Sequence, residues 1–159
     1  MTYEVLMLLS AMVTAAGGIG FVLVMLKTYK GQMNAQIFTT LNQRYDDILK
    51  DFPEEAWDSR FNLDTVLPPP SRKLTFCAFR YFNLCSEEFY LYKRGYIRRE
   101  VWEIWQGVMH STLRSPLFRR EWQVLSSEFR SYPEFFHYVD DVQNNERPGD
   151  PRKQGVEAL

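Results

Sequence analysis

A chain of 159 residues with 19 basic and 20 acidic side chains, a formal net charge of −1 and 16% aromatic residues has room for one modest folded domain and ample apolar surface for its core. The near-neutral balance excludes the basic footprint that nucleic-acid binding requires. Cys77 and Cys85 are the two cysteines; eight apart in one expected helix, they are separated by about 12 Å along its axis. That is too far for a disulfide, so both read as small buried hydrophobes.

The run from Val5 to Leu26 carries no charged residue and is bounded by Glu4 and Lys27. A bilayer crossing needs about 20 apolar residues, so residues 5–26 are expected to form a single transmembrane helix behind a short external N-terminus, 1–4. A cleavable signal would begin with basic residues and place its small residues at the end; here the start is Met-Thr-Tyr-Glu, and Ala15, Ala16 and Gly17 lie mid-run. Lys27 and Lys30 follow the span, which by the positive-inside rule puts the N-terminus outside and the remainder in the cytoplasm, at the cell inner membrane. Reduced cysteines agree with that side. Small residues recur within the span at four-residue steps: Ser10, Thr14 and Gly18, and Ala11 with Ala15. Such a face lets another helix backbone approach closely, and it is expected to contact another membrane protein or a second copy.

Residues 27–67 follow as a juxtamembrane helix and connector. Ile37, Leu41, Tyr45, Ile48 and Phe52 recur at helical spacing and predict an amphipathic helix continuing the span, with Gly31 as a weak joint and Pro53 as its end. A short helical turn over 54–60 would set Trp57 against the core. Pro68-Pro69-Pro70 imposes an extended linker.

The helical domain is expected over 71–143. Ser71 is placed to cap a helix running to Arg94, with Leu74, Ala78, Tyr81, Cys85, Phe89 and Tyr92 on one face and Gly95 in a left-handed C-cap. Phe79 and Phe82 lie off that face, so the helix should be central. Arg80, Asn83 and Glu87 share one side, as a polar network between helices or a solvated stripe. The next helix is predicted to bury Ile97, Val101, Ile104, Trp105, Val108 and Thr112, widened by Trp102 and Met109. Ser115-Pro116 restarts the chain, with Phe118, Trp122, Leu125 and Phe129 forming a stripe. Phe135, Phe136, Val139 and Val142 define a last helix. Residues 144–159 lack apolar periodicity and are expected to be a disordered tail.

From Asn83 to Trp122, the Glu88 to Ile97 segment, the Trp102 and Trp105 pair and Pro116-Leu117-Phe118 together resemble an uncharacterised bacterial family of single-pass, membrane-anchored helical proteins. The resemblance implies that architecture and brings no activity or catalytic residue.

Chemistry needs converging groups. His110 and His137 fall on different predicted helices, and Asp140 is the nearest acidic neighbour to His137 without forming a standard metal set. No metal, cofactor or catalytic residue is therefore assigned. Adjacent carboxylates, among them Glu87-Glu88, read as solvated faces. Lys27, Lys30, Arg98 and Arg99, with Arg119-Arg120 as a further pair, could meet anionic head groups of membrane lipid. The sequence thus predicts an all-α protein, a span followed by a small cytoplasmic bundle of about four or five helices. Its expected role is an interaction module, an accessory subunit or scaffold of a larger membrane complex. The alternative is an enzyme or small-ligand sensor with a pocket around Arg80, Asn83 and Glu87.

Overall fold

The computed structural model describes residues 2–60, 66–144 and 151–152, and all regular structure among them is helical. The elements are α1 (Tyr3–Asp51), α2 (Arg72–Lys93), α3 (Arg99–Arg114), α4 (Pro116–Leu125) and α5 (Pro133–Gln143), with 3₁₀ turns at Glu54–Ala56, Asp58–Arg60 and Ser126–Phe129. The chain divides into two compact units, residues 1–38 and 39–159.

The first unit takes in the N-terminal part of α1, to Phe38. It contains a window long and apolar enough to cross a membrane, none of it buried within the chain. The hydroxyls it carries are satisfied by its own backbone: Ser10 Oγ donates to Met7 O and Thr14 Oγ1 to Ser10 O, each at 2.9 Å. That internal pairing is what a polar side chain requires where no water is available. Gly31 does not interrupt the helix.

The second unit begins earlier than the proline linker. Leu41, Ile48 and Phe52 are buried, so the domain takes in the amphipathic end of α1 and not only residues 71–143. Pro53 ends that helix as expected. The turn after it differs from expectation: Trp57 is 43% exposed, and Arg60 is the buried residue, at 2%. The Arg60 guanidinium lies 5.1 Å from the centre of the Phe52 ring and 4.7 Å from that of Trp57, and donates to Tyr45 Oη at 3.0 Å. Trp57 thus lies over a cation, a contact its negative ring face favours.

Caps fall where local chemistry puts them. Ser71 Oγ accepts from Leu74 N at 3.2 Å, and Ser115 Oγ accepts from Phe118 N at 3.4 Å ahead of Pro116. Gly95, at φ +78°, closes α2: its N–H bonds Tyr92 O and that of Tyr96 bonds Leu91 O, both at 2.9 Å. This paired pattern is the Schellman arrangement, which only a residue comfortable at positive φ supports.

α2 is central. Phe82 is fully buried and meets Phe118, Trp122 and Phe129 at centroid distances of 5.7, 4.8 and 6.0 Å. Two turns on, Phe89 meets Phe135 and Tyr138 at 5.9 and 5.1 Å, while Tyr92 stacks on Trp102 at 4.8 Å. The aromatic richness is therefore spent on one continuous core, with tilted and edge contacts favoured by the ring quadrupoles.

α3 buries part of the face predicted for it: Trp102, Met109 and Thr112 are enclosed as expected, and Ile104 and Val108, 65% and 45% exposed, are not. Packing against α2, α4 and α5 covers the side carrying Trp102, Met109, Thr112 and Leu113 and leaves Ile104 and Val108 outside it.

The tail is also corrected in part. Asn144 caps α5, and Arg152 docks on the end of α2, its Nε donating to Tyr92 O at 3.0 Å and its guanidinium standing 4.0 Å from the centre of the Tyr92 ring. Pro151, beside Arg152, is buried; tail positions 145–150 and 153–159 lie outside the described residues, as do Met1 and connector positions 61–65.

Candidate functional site

α2 carries polar residues on two adjacent sides, and the two have opposite fates. Arg80, Asn83 and Glu87 step by three and four residues and line a cleft of about 410 Å³ with Arg44, Asp47, Ile48 and Leu84. Within it, Arg80 Nη1 donates to Asp51 Oδ2 at 2.5 Å, and Arg44 donates to the Glu87 carboxylate. The predicted trio therefore shares one cleft, but its charged members pair with the end of α1 and not with each other. Arg44 and Glu87 are both about half exposed, so these bonds are solvated contacts worth at most a fraction of a kcal/mol to about 1.

One residue further along, Glu88 faces the interior. Consecutive helical residues differ by about 100° around the axis, so Glu87 points out while Glu88 is buried beside Cys85 and Tyr81, one and two turns back. The pair is therefore not a solvated face. Burial first, and the Glu87 charge second, push the Glu88 carboxyl up to about 8, leaving it mainly protonated at neutral pH. Burial likewise raises the Cys85 thiol and the Tyr81 phenol well above their usual ranges.

The same seam continues to α3 and α5. His110 Nε2 lies 2.9 Å from Tyr138 Oη, to which Gln106 Nε2 donates at 3.3 Å. Burial, with a lesser contribution from Arg114, lowers the His110 imidazole to about 4. All these groups are held in their neutral forms, a condition that suits a packed interior and supplies no activated nucleophile. His137 is exposed, and its acidic neighbour Asp140 accepts from Trp122 Nε1 at 2.9 Å.

A second polar cluster was hidden from sequence reading by the adjacency of Arg120 and Glu121. Glu121 is buried and accepts from Thr75 Oγ1 at 2.8 Å and from Arg120 Nη2 at 2.8 Å; Arg120 Nη1 also donates to Pro68 O at 2.6 Å. Arg120 is therefore turned inward to tie the proline segment to α4, not outward to lipid. Arg98 and Arg99 are exposed, Arg99 pairing with Glu103 at 2.8 Å. Lys27 and Lys30 are exposed on α1.

On the first unit, Ser10, Ala11, Thr14, Ala15 and Gly18 are all exposed, and a Cβ added at Gly17, Gly18 or Gly20 would meet nothing within 4 Å. No group of three or more metal-ligating side chains occurs among the described residues. Comparison with family models, curated proteins and solved structures finds no match for this chain.

Proposed function

We propose that the chain is a membrane-anchored helical interaction module, an accessory subunit or scaffold of a larger membrane complex. In this reading residues 5–26 cross the cell inner membrane with the N-terminus outside and the domain in the cytoplasm, as Lys27 and Lys30 favour. The observation that carries it is the apolar window of α1, none of which is covered within its own chain. Lipid can cover most of that surface. The small-residue face of Ser10, Ala11, Thr14, Ala15 and Gly18 suits a second helix, because close backbone approach supplies the dispersion contacts that drive association in a bilayer.

Purification in mild detergent, with identification of what co-migrates, tests the proposal. The expected result is recovery with a partner or as an oligomer, and loss of that assembly in Gly18→Leu or Ala15→Leu with insertion intact. Recovery as a lone monomer at all protein concentrations would overturn it. The alternative, a ligand sensor at Arg80, Asn83 and Glu87, has the cleft in its favour, but its cations already have carboxylate partners. An incoming ligand would have to displace them.

A further inference from the structure

Gly107 lies inside α3, exposed, with nothing within 4 Å of where a Cβ would stand and without a positive φ. Glycine weakens a helix interior because it loses more backbone freedom than alanine, and no contact or turn among the described residues accounts for it here. The residues around it on the outward side step by four, three, four and three: Glu100, Ile104, Gly107, Ser111 and Arg114. Glu100, Ile104 and Ser111 are exposed, and Arg114 is half-buried. Val108 widens the strip with a second exposed apolar side chain. The opposite face packs on α2, α4 and α5.

The strip has opposite charges at its two ends and its smallest residue at the centre. Two copies laid antiparallel about Gly107 bring Glu100 of each against Arg114 of the other, twice, by two-fold symmetry. The glycines then permit close backbone approach at the crossing point, with Ile104 and Val108 flanking it. A parallel arrangement would instead oppose Glu100 to Glu100 and Arg114 to Arg114. Arg114 Nε is held by Val142 O at 3.0 Å, which anchors the guanidinium while its terminal nitrogens can serve the partner carboxylate.

We propose that the outward face of α3 is a self-association surface for a second copy of this chain, in an antiparallel, two-fold pairing centred on Gly107. A single helix of 16 residues is about 24 Å long, a small contact by the standard of freestanding dimers. The pairing therefore rests on the proposed anchoring, which confines copies to one membrane and raises their effective concentration.

Full-length chain carrying Gly107→Cys, in the membranes in which it is expressed, is oxidised and resolved without reductant. The expected result is a disulfide-linked species of twice the mass, absent from wild type, whose Cys77 and Cys85 are buried, and from Val124→Cys on the exposed side of α4. Adding Glu100→Arg should reduce the linked fraction several-fold, and Glu100→Arg with Arg114→Glu should restore it. Because Arg114 also holds Val142, Ile104→Arg provides a second disruption at an exposed side chain, with helical signal and melting confirming the fold. Cross-linking no greater than for Val124→Cys, or insensitive to both Glu100→Arg and Ile104→Arg, would overturn the proposal. Gly18→Leu separates the two contacts: loss of the detergent-stable assembly with the linked species retained assigns that assembly to the span and supports the α3 pairing.

Discussion

The two units use apolar residues in opposite ways. In residues 2–31 every side chain is exposed, Leu, Val, Ile and Phe included, whereas in the second unit Phe82, Phe89, Phe118, Phe129 and Phe135 are almost completely enclosed. Hydrophobicity alone does not separate them. The first unit carries an uninterrupted apolar helical run, residues 5–26 of α1, whose backbone bonds lie within the helix, a solution suited to lipid. The second interleaves polar residues and caps, so its helices expose one side to water and fold over one another to cover the rest.

This contrast predicts its largest effect at Phe82. Phe82→Ala should cost about 3–5 kcal/mol and lower the melting temperature sharply in mild detergent, while Phe21→Ala in the first unit leaves the melt of the domain unchanged. A domain insensitive to Phe82→Ala would break the comparison.

The buried carboxyl comes next. With its folded value raised to about 8, Glu88 keeps its proton in the fold over a range where the unfolded chain has lost it. Stability should therefore fall as pH rises from about 4.5 to about 8 and level off above. Glu88→Gln removes this loss, so its advantage over the wild type should widen by about 2–4 kcal/mol between pH 5 and pH 8, read from denaturant titrations at each pH. His110 acts in the other direction: its lowered folded value means that stability is lost as pH falls from about 6.5 towards 4, and His110→Gln should flatten that acid limb.

Smaller effects come from the surface and the caps. Ser115→Ala removes the hydroxyl that holds Phe118 N and should cost about 1 kcal/mol. Glu87→Gln breaks a solvated pair and should cost about 0.2–1 kcal/mol, less in high salt. A much larger loss at Glu87 would show that the cleft carries more of the domain than its exposure indicates.

Much of the architecture was legible along the chain because it is written in local chemistry. The apolar run of 5–26, the Ser71 and Ser115 caps, the Gly95 C-cap and the stop at Pro53 each depend on a few neighbouring residues, and each appears as read. The site was less legible. Arg80, Asn83 and Glu87 could be placed on one side of α2 by spacing, but their partners Arg44 and Asp51 lie 43 and 29 positions away from the residues they bond, beyond the reach of any periodicity.

What the sequence by itself determined is therefore the set of helices, their ends and the single apolar helix fit to cross a membrane, because propensity, capping and hydrophobic period act over one or two turns. The tertiary structure decided which side of each helix is used. It turned Ile104 and Val108 of α3 outward, and buried Glu88, Glu121 and Arg60, polar side chains that no local pattern marks as interior. Those outcomes depend on which distant surfaces are available to cover a given face, and burial, unlike a cap, is a property of the whole fold.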